Sequence, residues 1–95
     1  VNTLEAVTTE LLVPSAGTLR NLRVKAGTAG TAAGSGVVTL RVNGSNSTVT
    51  CTVGTGTTCN DTTHSAALAA GDRITVQFTT QLVETLADVQ VAWEY

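Results

Sequence analysis

The sequence predicts an all-β protein, one antiparallel sandwich of about eight short strands over residues 1–95, and three observations carry that prediction. Ile74, Val76 and Phe78 alternate with Arg73, Thr75, Gln77 and Thr79, and a period of two marks a strand with one buried and one wet face. Turn-forming runs recur between such stretches, at Ser15-Ala16-Gly17, Asn43-Gly44, Gly54-Thr55-Gly56 and Ala70-Gly71-Asp72. No stretch carries a convincing helical pattern to set against them.

The run from Leu68 to Phe78 organises the rest. Its turn offers Gly71 for a positive φ, and Asp72 to bond the backbone just ahead of it. Earlier in the chain, Glu5 to Val13 reads as the first strand; paired β-branched residues and Pro14 favour this over the helix that Leu4, Val7, Leu11 and Leu12 would also fit. Thr18 to Ala26 is the second, with Leu22 and Val24 inward and Arg23 and Lys25 outward. Leu19 is out of phase with Leu22, which places a bulge near Arg20-Asn21.

Gly27 to Gly36 is low in complexity and is expected to lie over the surface as a mobile loop that anchors no core. A phosphate cradle would need a helix after these glycines, and a strand follows. That strand, Val37 to Val42, turns at Asn43-Gly44, the strongest short hairpin signal, of type I′. Thr48 to Val53 is the fourth strand, Thr57 to Asn60 returns from the next turn, and Thr62 to Leu68 is a weak strand. After the organising strand, Gln81 to Ala87 is a loop or a short strand around Leu82-Val83. Val89, Val91, Trp93 and Tyr95 alternate in the last strand. The expected core is Leu40, Val42, Val49, Ile74, Val76, Phe78, Val89, Val91 and Trp93, each on the apolar phase of its strand.

Composition bounds the function. Aromatic residues are only 3% of the chain, so the core is thin and aliphatic. Charged residues are 13%, about half the usual share, which leaves a surface of hydroxyl and small side chains like that of secreted and virion-surface β proteins. A formal charge of -2 argues against a nucleic-acid partner or an anionic membrane. No apolar run approaches the length of a membrane span. Val1 in place of a starting Met, with no basic-then-apolar leader, reads as a processed chain or a piece of a longer one.

Cys51 and Cys59 stand symmetrically about Thr55. If the flanking segments form a hairpin, the pair lies directly across it, and a disulfide there implies an oxidising compartment. Zinc is the alternative; His64 and Asp61 are its only neighbouring ligands, and the disulfide is the stronger reading. In Asn60-Asp61-Thr62-Thr63-His64-Ser65, the acid, imidazole and hydroxyl crowd one turn rather than converging from separate elements, so a polar turn is favoured over a triad. Glu5, Glu10, Asp72, Glu84, Asp88 and Glu94 are scattered, and nothing marks a glycosidase pair or a calcium site at Asp72. Asn43, Asn46 and Asn60 open glycosylation sequons, a pattern short enough to recur by chance. No catalytic group, cofactor or metal is expected.

Leu68-Ala69-Ala70-Gly71-Asp72-Arg73-Ile74-Thr75-Val76 resembles the late turn and strand of the trimeric jelly rolls of the tumour-necrosis-factor and complement-head type, and Val89 to Tyr95 resembles their last strand. Gly17 to Val24, Leu40 to Gly44 and Cys51 to His64 resemble runs of small jelly-roll modules in phage virion and bacterial surface proteins. The resemblance implies a jelly-roll topology and a homotrimer, and carries over no functional residue. The expected function is therefore a non-catalytic structural or adhesive module outside a virion or cell, of capsid-decoration or tail-tip type. Its partners would be copies of itself or other virion or cell-surface proteins. A carbohydrate-binding module is the alternative, although Trp93 and Tyr95, the aromatics it would expose, fall on the inward phase.

Overall fold

The computed structural model describes residues 2–5 by their backbone, and 10–31, 33–80 and 89–95 in full. Among these are nine strands: β1 (Asn2–Glu5), β2 (Leu11–Leu12), β3 (Gly17–Lys25), β4 (Val37–Val42), β5 (Ser45–Thr52), β6 (Thr58–Asp61), β7 (Ala66–Leu68), β8 (Arg73–Thr80) and β9 (Gln90–Glu94). They form two antiparallel sheets, as the alternation predicts, and no helix of the described residues is long and apolar enough to cross a membrane. Of the expected first strand only Glu5, the end of β1, and Leu11–Leu12, which form β2, are in strand among the described residues, both segments pairing with β8, and its residues 6–9 lie outside the described residues. So does the expected loop from Gln81 to Ala87.

In the first sheet β8 lies between β4 and the β1 and β2 segments, and β5 extends the far side of β4. In the second, β3 is central. Both β6 and β9 pair with Arg23–Lys25, so they must flank β3 on opposite sides, while β7 pairs with Gly17–Leu19. The hairpin β4–β5 stays within one sheet, and this strand order does not establish jelly-roll wrapping.

Local chemistry explains the joints. Asn43 and Gly44 take φ of 54° and 82° between Val42 and its partner Ser45, the positive pair that a type I′ turn requires. The bulge expected near Arg20-Asn21 is present: Asn21 has φ 53°, and the register with β9 shifts between Arg20 and Arg23. That shift lets Leu19 and Leu22, three apart, both reach the interior. Gly71 has φ 90°, its N–H bonds the Val13 carbonyl, and Val13 N–H bonds the Asp72 carbonyl. The organising turn thereby pins the residue before Pro14.

The core centres on Val13, Leu19, Leu22, Val24, Val38, Leu40, Val49, Val53, Leu68 and Ile74. Of the expected core, Leu40, Val49 and Ile74 are fully buried, whereas Val42, Val76, Phe78, Val89, Val91 and Trp93 are half-buried and pack against its flank. The centre of gravity is therefore nearer β3 than β8, because the bulge turns an extra leucine of β3 inward. The glycine-rich segment also differs from expectation at its end. Ser35 is buried, and the carbonyls of Ser35 and Gly36 accept N–H bonds from Gly54 and Val53, which extends the β4–β5 ladder.

Candidate functional site

Cys51 and Cys59 form a disulfide with Cα atoms 5.8 Å apart. The pairing is as predicted and its setting is not. Cys51 belongs to β5 in the first sheet and Cys59 to β6 in the second, and these strands share no backbone ladder. The bridge is an inter-sheet staple at one corner of the sandwich rather than a rung across a hairpin. Gly54, with φ 64°, opens the turn that carries the chain from one sheet to the other.

Asp61 closes the same corner. Its side chain is buried, and Oδ2 accepts the Thr50 N–H at 3.1 Å from the opposite sheet. Oδ1 accepts the N–H groups of Thr63 and His64, each at 3.1 Å, and the Thr63 hydroxyl at 3.2 Å. Burial pushes the Asp61 carboxyl up, but the N–H groups of Thr50, His64 and Thr63 and the imidazole together outweigh it and hold the pKa well below the carboxylate range. The ionised carboxylate only accepts, so His64 Nδ1, 2.8 Å from Oδ2, carries the proton of that bond.

The polar-turn reading of this run thus describes the geometry, with Asp61 bonding local backbone. The Thr50 bond was not legible in the sequence, since only the fold sets Thr50 beside Asp61. Ser65 enters as an acceptor through its carbonyl, which takes a bond from the Thr48 hydroxyl. Among the described residues no group of three His, Cys, Asp or Glu side chains is placed to hold a metal ion.

Asp72 anchors the other turn. Its Oδ2 accepts the Ala69 N–H at 2.8 Å and its Oδ1 the Asn43 amide at 3.0 Å, and these bonds lower its pKa against a small opposing effect of burial. Asn43 also accepts the Arg73 N–H at 3.0 Å, so the hairpin turn and the Gly71 turn are locked together. Both Asp72 oxygens are used in this lock.

The face of the first sheet turned away from the core carries rows of mostly polar side chains, of which Thr39 and Thr75 are buried and Thr52 and Asn46 exposed. Register places Thr79, Val37 and Thr52 in one row, Gln77, Thr39 and Thr50 in the next, and Thr75, Arg41 and Asn46 in a third. Thr39 and Thr50 share a hydroxyl bond at 2.9 Å, and Thr50 also donates to the Val38 carbonyl. Thr75 is only 4% exposed although it lies on the predicted wet phase. Arg41 is the one charge in these rows, and its guanidinium bonds the Gly44 carbonyl. No protein-family model matches the chain, and neither does any curated protein or solved structure.

Proposed function

We propose that the protein is a non-catalytic structural or adhesive module working outside a virion or cell, and that it acts by packing against copies of itself. The observation that carries this reading is the nearly neutral threonine wall on β8, β4 and β5. A face of hydroxyl and small side chains packs against another protein surface without burying unpaired charge, which is the costly event at an interface. The Cys51–Cys59 staple suits an oxidising, extracellular setting. The resemblance to trimeric jelly rolls adds the stoichiometry and the virion setting, of capsid-decoration or tail-tip kind.

Sedimentation velocity of the purified domain at micromolar concentration tests the reading. A trimer is expected. A monomer across the whole concentration range would remove self-association as the mode of action.

A further inference from the structure

We infer that the outer face of the second sheet binds a carboxylated sugar, with the carboxylate on Arg23 and Lys25 and the ring hydroxyls on Asn60, Thr58 and Gln90. A concavity of about 490 Å³ lies there, walled by β3, β6 and β9. No described residue of the facing sheet lines it, so it opens outward rather than into the core. Its size falls within the roughly 300–1,000 Å³ usual for small-ligand sites.

The register makes its floor a grid. Asn60, Arg23 and Ala92 form one row across the three strands, and Thr58, Lys25 and Gln90 form the next. All six are exposed. Arg23 and Lys25 are two apart on the central strand and therefore on one face, about 7 Å from each other along it. Ala92 leaves room beside Arg23 where a larger side chain would fill the floor.

Charge is distributed unevenly over the cations. Arg20 pairs with Glu94 at 3.6 Å, Arg73 with Glu10 at 3.5 Å, and Arg41 bonds a carbonyl. Arg23 and Lys25 have no acidic partner among the described residues, and no carboxylate lies among the described residues that line the concavity. A chain with five cations and a net charge of -2 thus sets two of them side by side in its concave face.

The neutral neighbours choose the ligand class. A guanidinium presents a fork of N–H groups that matches a carboxylate. The Asn60 and Gln90 amides each donate and accept, as does the Thr58 hydroxyl, and vicinal sugar hydroxyls do the same. Phosphate accepts from the amide N–H groups and the hydroxyl but has no vicinal sugar hydroxyls to give back to the amide carbonyls, so it uses only part of this set, and the overall negative charge disfavours a nucleic acid. The lining contains no aromatic ring to stack on a sugar, so single-site affinity is weak and depends on charge. The inference is independent of self-association, because the threonine wall lies on the other sheet.

The test is titration of the ¹⁵N-labelled protein with digalacturonate, sialyllactose, the methyl ester of digalacturonate, and inorganic phosphate. One acidic sugar is expected to shift the amide signals of β3, β6 and β9 at millimolar concentration; which of the two does so separates a uronate from a sialate ligand. The preferred sugar should bind roughly tenfold more weakly to Arg23→Gln or Lys25→Gln, and the methyl ester should show a similar loss where digalacturonate is preferred. Asn60→Ala should weaken the sugar several-fold more than it weakens phosphate. Melting temperatures near the parent's confirm that these exposed substitutions leave the fold intact. Equal affinity for phosphate and sugar with no effect of Asn60→Ala, or no shift with either acidic sugar in tens of millimolar, overturns the inference.

Discussion

At Asp61 a single carboxylate joins a local turn to the opposite sheet, and the two halves of that role were unequally visible in the sequence. An Asp followed by Thr and His in a polar turn is enough to predict bonds to nearby N–H groups. The bond to Thr50 spans eleven positions and crosses between sheets, so no local pattern could show it. Replacing Asp61 by Ala should cost about 2–4 kcal/mol, because buried N–H donors lose an ionised acceptor. Its pH dependence follows from the lowered pKa of the folded carboxyl. The unfolded group titrates near 3.9, so the stabilisation is fully present above about pH 4 and drains away as the pH falls below it. Urea unfolding at pH 7 and pH 3 should show a smaller loss on acidification for Asp61→Asn than for the parent. An identical loss in both proteins would mean that this carboxylate does not carry the acid sensitivity.

Among the elements, β3 and the β5–β6 corner differ most from what periodicity alone suggests. Alternation located most strands to within a few residues, and Asn43-Gly44 fixed one hairpin outright, because both signals are local. Partition into sheets is not local. The symmetry of Cys51 and Cys59 about Thr55 suggested a hairpin, yet the turn carries the chain from one sheet to the other, and the disulfide ties the two layers. Its closed loop is short, and the chain-entropy estimate for reduction is about 2–3 kcal/mol. For a domain of this size that corresponds to a fall in melting temperature of roughly 10–20 °C, measurable by calorimetry with and without reductant. The bulge in β3 has its own consequence. Phe78 is the residue that aromatic size would make dominant, but it is half-buried, while Leu40 is fully buried in the core. Leu40→Ala should cost about 2–5 kcal/mol and Phe78→Ala less than the roughly 3–5 typical of a fully buried phenylalanine. If Phe78→Ala proves the more damaging in denaturant melts, the core is centred on β8 after all.

For the whole molecule, the two outer faces divide the chemistry between them, and composition foretold one face better than the other. Low charge and abundant threonine announced a neutral wall, although not which strands bear it; only register shows that Thr52, Thr50 and Thr79 share a surface with Gln77 and Thr39. The pairing of Arg23 and Lys25 with Asn60 and Gln90 depends on strands distant in sequence, and that is why the groove was illegible beforehand. The wall lends itself to a decisive substitution. Thr52 is exposed, sits at the outer strand of its sheet, and faces away from the core. A lysine there disturbs no packing in the monomer. In a self-associated form that buries the wall, however, its ammonium is taken out of water at a cost of several kcal/mol. Thr52→Lys should therefore weaken association by roughly a hundredfold or more while the melting temperature of the dilute monomer stays unchanged. Thr58→Lys, on the groove face, is the matched control and should sediment like the parent. If Thr52→Lys also sediments like the parent, copies associate through some other surface, and the threonine wall faces a different partner.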